Sequence, residues 1–198
     1  MPSATPNRRD VLTGHALRVQ AEAAQDALAE AVLDERATPE AGPTVRLAVR
    51  AMATEFVVLM NPGSPQHIWS ASEALDLVGA IEQQLTVYRD SSEVSRINAH
   101  AADTPVPVTE SLFALLTQCA ELTQLTGRAF DVATQAQIAL WQRCRKAENV
   151  PRDEEILAAL ERSGMGHVQL DAETRTVAFD RRGVGLNFGA IGKGYALD

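Results

Sequence analysis

Lysine is scarce in this chain of 198 residues: of its 18 cationic side chains, Lys146 and Lys193 alone carry an ammonium. The arginines are scattered from Arg8 to Arg182, cationic runs never exceed two residues, and the formal charge is −8. No dense basic face is therefore available to neutralise phosphates, which disfavours a nucleic-acid surface. No apolar stretch approaches the ~18 residues of a bilayer-spanning helix, so no such segment is expected. Aromatics make up only 5%, and cysteine occurs twice, at Cys119 and Cys144. Both sit at helix-like spacing among apolar neighbours, which favours buried free thiols over a disulfide or a metal site. His15, His67, His100 and His167 are each isolated, leaving zinc chemistry unsupported. What remains is ordinary: 45% hydrophobic and 22% charged residues, a globular composition able to bury a core.

Asn7-Arg8-Arg9-Asp10-Val11-Leu12 resembles the start of a twin-arginine export signal, yet the apolar h-region that should follow is missing. Residues 1–43 are read as a tail, either plain or a degenerate signal, with an exposed helix near 17–36 ended by Pro39 and Pro43. The missing h-region favours a cytoplasmic location.

Residues 44–198 read as one α+β domain, a mixed or antiparallel sheet with packed helices. Thr44 to Met60 alternates and then runs apolar, giving two short strands or one bent strand closed by Asn61-Pro62-Gly63. Ile68, Ala71, Leu75, Val78, Ile81 and Leu85 mark an amphipathic helix over 67–85. The segment Tyr88 to Glu93 reads as a polar loop. Thr109 is the expected N-cap of a helix burying Leu112, Phe113, Leu116, Cys119, Ala120 and Leu125 and ending at Gly127. Shorter helices follow near 133–145 and, with Asp153 as N-cap, 153–162. Val168–Leu170 and Thr176–Phe179 form an expected hairpin, and Val184–Phe188 a further strand.

The Gly-rich segment from Gly183 to Gly194 carries the clearest chemical signal. A glycine turn opening a helix exposes backbone N–H groups to an anion, and Lys193 adds a full positive charge in an arginine-using sequence. Neither a Walker A nor a Rossmann register fits. The alternative is a Gly-rich turn with a solvated lysine. Asp131 reads as an N-cap beside a core Phe130, Tyr88 as a ring that stacks a ligand or covers the core, and Met52 as a core side chain beside a surface Thr54.

Taken in order, Ala51-Met-Ala-Thr54, Leu85 to Asn98 (LTVYRDSSEVSRIN), Thr126-Gly-Arg-Ala-Phe-Asp131 and Gly189 to Asp198 (GAIGKGYALD) closely resemble the ApbE-type FAD:protein FMN transferase family. The resemblance implies an ApbE-like, T-fold-related domain that binds FAD and, with Mg²⁺, moves its FMN half onto a threonine or serine of a partner protein, releasing AMP. It implies FAD contacts at Met52, Tyr88, Ala129, Phe130, Asp131, Asn187 and Lys193, and a metal-binding carbonyl at Ala190. Asn187 stands where the family commonly has Asp. The acceptor it implies is often a subunit of a membrane redox complex, which points to the cell envelope and leaves the compartment open. The chain stops just as a helix begins, so it is expected to be the N-terminal portion of the family domain, with further metal ligands in a D-A-x-x-T segment beyond Asp198. The competing expectation is a flavin-binding, catalytically inactive fragment.

Overall fold

A computed structural model describes residues 43–61 and 63–198. The tail read over 1–43, with its helix near 17–36, lies outside the described residues but for Pro43. Residues Leu47–Val58 and Ser64–Asp198 form one compact unit, and the described residues 43–46, 59–61 and 63 fall outside it. That unit holds every residue discussed as a site.

The 44–60 segment is two strands, β1 (Val45–Ala51) and β2 (Thr54–Met60), paired in a two-stranded sheet. Their tight connection places Met52 and Ala53 at φ of 51° and 58°. A two-residue hairpin turn with both central residues left-handed matches strand twist, and it ordinarily selects Asn or Gly. Here neither is present, which is why sequence alone left the segment open between two strands and one.

Helix α1 (Pro65–Leu85) begins with proline in its first turn, where the missing N–H costs nothing. It buries Ala71, Leu75, Val78 and Leu85 as its periodicity requires, while Ile68 near its start stays exposed. The polar loop that follows leads into a helix the periodicity had not shown, α2 (Glu93–His100). Its cap is Ser92, whose Oγ accepts the Ser95 N–H at 2.9 Å. An eight-residue helix has too few apolar positions to declare its period; Val94 and Ile97 are its whole buried face.

The short strand β3 (Val106–Pro107) precedes α3 (Glu110–Leu125). Thr109 occupies the N-cap position without a side-chain cap bond; instead its hydroxyl donates to Glu93 Oε2 at 2.9 Å. Leu112, Leu116 and Cys119 are buried as expected, and Phe113 and Ala120 are half-buried. Leu115 joins them, whereas Leu125 is 82% exposed. It lies in the last turn, just before the chain reverses at Gly127 (φ 59°).

Helix α4 (Gln135–Lys146) has Thr134, not Asp131, at its N-cap position, without a side-chain cap bond. Helix α5 (Asp153–Leu160) starts one residue earlier than expected: Asp153 is its first residue, and the cap position falls to Arg152, whose N–H is accepted by Glu155 at 3.1 Å. The hairpin of β4 (Val168–Asp171) and β5 (Thr176–Phe179) forms as expected, with Val168 opposite Phe179. β3 adds to β5, giving an antiparallel sheet in the order β3-β5-β4 with Pro107 on an edge strand. A short helix α6 (Gly192–Tyr195) closes the chain. The α+β expectation thus holds.

The main core joins α2, α3 and the three-stranded sheet through Ile97, Leu112, Leu116, Val132 and Val177, all fully buried. Cys119 lies among them, and both cysteines are free and buried. Burial, with the charge of Asp131 adding to it, pushes the Cys119 thiol up to about 11, so it is inert at neutral pH. Ala51, Phe56, Leu75 and Val78 form a second cluster between the hairpin and α1.

The expected strand over 184–188 is absent. Val184, Leu186 and Phe188 are buried, but the backbone bonds run to side chains and loops: both polar groups of Leu186 to Asn98, the Gly185 carbonyl to the Gln135 N–H, and the Asn187 N–H to the Val132 carbonyl. An apolar, extended run satisfied in this way needs no neighbouring strand.

Candidate functional site

A cleft of about 390 Å³ opens between the hairpin turn, the end of α1 and the Gly-rich segment. Met52, Tyr88, Asn187 and Lys193 all line it, together with Glu82, Leu85 and Gly192. Residues separated by as much as the length of the domain thus converge on one concave surface of a size that holds a ligand or part of one.

Each wall has a local cause. At the hairpin, the Met52 N–H donates to Glu82 Oε1 at 2.5 Å, fixing the left-handed turn onto α1. Tyr88 stands in the loop between α1 and α2, which Ser92 closes: its buried hydroxyl donates to the Thr86 carbonyl while capping α2. The Tyr88 N–H is accepted by Thr86 Oγ1 at 3.2 Å and its phenol oxygen accepts from Gln142 Nε2 at 3.2 Å. The ring is 77% exposed, so it does not cover the core, and its face is open to a planar partner.

Asn187 is held at three points. Its N–H donates to Val132 at 2.7 Å, its Oδ1 accepts the Gly189 N–H at 2.9 Å, and its Nδ2 donates to Gln135 Oε1 at 2.9 Å. Upstream, Asn98 accepts the Leu186 N–H at 2.7 Å and donates to the Leu186 carbonyl at 3.0 Å. Gly192 is buried, and a Cβ there would lie 3.7 to 3.9 Å from Leu85, Met52 Sδ and Phe188, so hairpin and Gly-rich segment are in close contact. Lys193 is exposed and makes no ion pair with the described residues.

Ala129, Phe130 and Asp131 are not among the residues lining the cleft. Asp131 acts as a staple: Oδ1 accepts the Ala133 N–H at 2.7 Å and Oδ2 the Met165 N–H at 2.9 Å. Phe130 packs half-buried on the main core and Ala129 is exposed. The turn nonetheless adjoins the site, because Val132, the next residue, bonds Asn187. Ala190 is exposed in the turn between Asn187 and α6, outside the cleft lining. Among the described residues no group of three or more His, Cys, Asp or Glu is placed to hold a metal. One carbonyl at Ala190 is not an oxygen cage for Mg²⁺, so the described residues do not fit a complete metal centre.

Glu82, Ser92 and Asn98 support the site although no motif singles them out. Glu82 carried a usable signal: it lies four residues after Val78 and three before Leu85, a carboxylate on the buried stripe of α1. Ser92 and Asn98 lie within the LTVYRDSSEVSRIN segment; Ser92 bonds backbone groups of Thr86 and Ser95 close by, whereas the role of Asn98 depends on Leu186, 88 residues away.

Comparison with known proteins places this geometry among relatives. Residues 41–198 match the model of the ApbE family. A FAD:protein FMN transferase of Treponema pallidum is 30% identical over 157 residues, covering 77% of this chain and 43% of its own length. One of Klebsiella pneumoniae is 35% identical over 129 residues, covering 65% of this chain and 40% of its own length. The crystal structure of the ApbE protein of Thermotoga maritima superposes with a TM-score of 0.70 at 29% identity, covering 79% of this chain and 50% of that one. The chain spans less than half the length of the curated relatives it matches.

Proposed function

The chain belongs to the ApbE family, and from that membership we propose that the whole protein is an FAD:protein FMN transferase. The hydroxyl oxygen of a threonine or serine on an acceptor protein would bond to the FMN phosphorus of FAD. The phosphorus–oxygen bond toward the AMP half breaks, AMP departs, and the hydroxyl proton passes to a base; nothing is oxidised or reduced. The observation that carries this reading is the convergence of Met52, Tyr88, Asn187 and Lys193 on one cleft.

Such a transfer asks the protein for charge compensation and placement rather than covalent chemistry. The exposed ammonium of Lys193, without an ion pair among the described residues, suits a diphosphate, the exposed face of Tyr88 suits a flavin or adenine ring, and Asn187 offers a neutral amide at a rigid point. Mg²⁺ belongs to the same reading of the whole protein, with the Ala190 carbonyl as one ligand and Ala129, Phe130 and Asp131 as further flavin contacts. The acceptor would be a protein with an accessible threonine or serine, such as a subunit of a membrane redox complex. No helix among the described residues is long and apolar enough to cross a membrane.

Titration of the chain with FAD, followed by flavin fluorescence, tests the reading. Lys193→Ala is expected to weaken binding at least about tenfold, the loss of one charged hydrogen bond of roughly 1.5–3 kcal/mol. Absence of FAD binding by the wild-type chain would sink the assignment. A second reading rests on the lack of a metal-ligand cluster among the described residues: the 198-residue chain holds FAD without turning it over. It predicts bound flavin with no AMP at high Mg²⁺, and AMP appearing would eliminate it.

A further inference from the structure

Glu82 is the one carboxylate lining the cleft that neither the resemblance nor the reaction assigns. We propose that Glu82 is a positioning residue for FAD: it holds the Met52–Ala53 turn in its left-handed shape and thereby sets where Met52 meets the segment that carries Lys193. The proposal rests on the flavin-binding reading above.

Left-handed backbone costs an ordinary L-residue roughly 1–2 kcal/mol, and two such residues in succession persist only where the surroundings over-determine them. The turn has no glycine or asparagine to lower that cost. What it has is the bond from the Met52 N–H to Glu82 Oε1, which spans 30 residues and joins the hairpin to α1. Glu82 is half-buried and makes no ion pair with the described residues, so that amide is its visible partner. The turn in turn leans on the Gly-rich segment: Met52 Sδ lies 3.8 Å from where a Cβ on Gly192 would sit, one residue before Lys193. Loss of the Glu82 oxygen releases the turn, and the hairpin wall then no longer faces the lysine in a fixed register.

Three variants separate this role from direct contact with the ligand. Glu82→Ala should speed hydrogen exchange at the Met52 amide and weaken FAD binding about tenfold. Glu82→Gln, which keeps an acceptor oxygen, should stay within about twofold of wild type in both readouts. Adding Ala53→Gly to Glu82→Ala should recover affinity severalfold, because glycine takes a positive φ without strain. Unchanged Met52 exchange in Glu82→Ala, or FAD affinity unchanged in a chain whose wild type binds FAD, would overturn the proposal. So would a Gln variant as weak as the Ala variant, since the charge itself would then be what matters. If Glu82→Ala does not fold, Glu82→Met, which keeps the side chain's length without an acceptor oxygen, takes its place in the same comparisons. A wild-type chain that binds no FAD while Met52 exchange still responds to Glu82→Ala would overturn the functional reading and the ligand named here, leaving Glu82 a strut of the hairpin.

Discussion

The Asn187 wall of the cleft and the Met52 wall are secured in different ways. Around Asn187, bonds converge from α2 through Asn98, from the turn before α4 through Val132, and from α4 itself through Gln135. Val184, Leu186 and Phe188 sink between them into the core. Around Met52, a strained turn depends on one carboxylate and on the packing of a small second cluster. Redundant anchoring makes a wall whose removal threatens the fold, whereas single anchoring makes a wall whose removal changes the shape of the cleft and leaves the core standing. Lys193 and Tyr88, the groups free to meet a ligand, are exposed at the margins of both.

The largest expected effect follows from cutting the redundant wall at its strongest point. Asn98→Ala strands both polar groups of Leu186, a fully buried residue, and should lower stability by about 2–4 kcal/mol in chemical denaturation. A change under about 0.5 kcal/mol would mean that this wall is held by burial alone. Asp131→Ala comes next: it orphans the amides of Ala133 and Met165 and should cost about 1–3 kcal/mol. If the staple is the whole of its role, folded Asp131→Ala binds FAD as the wild type does; weakened binding in the folded fraction would make it a ligand contact too. The smallest change is expected on the Met52 wall. Ala53→Gly relieves left-handed strain but frees the unfolded chain, for a net gain of about 0.5 kcal/mol in the same assay. A net loss would show that the turn is not strained, and the contrast between the walls would fail.

Much of this was legible beforehand where one element declares itself. The stripe of α1, most of the buried face of α3 and the β4–β5 hairpin follow from local periodicity and turn residues, which are read at short range. The misses share a cause. Val184–Phe188 has the composition of a strand, yet whether a strand forms depends on a partner, and its partners proved to be the Asn98 side chain and single backbone groups of Val132 and Gln135. Asp131 has the chemistry of a cap, but its amides come from Ala133 and from Met165, 34 residues away. Leu125 continues the apolar count of α3, and exposure at the end of that helix overrode it.

Sequence by itself determined the α+β character, the two buried free thiols, the net charge of −8 and, through four ordered segments, the residues to watch. Periodicity, charge and composition are properties of neighbours along the chain, so they survive without a fold. Only the tertiary structure decided that Met52, Tyr88, Asn187 and Lys193 share a cleft, that Asp131 is occupied as a staple, and that Glu82 supports the hairpin turn. Those are facts about groups far apart in sequence, and nothing but packing and the satisfaction of buried backbone brings them within reach of one another.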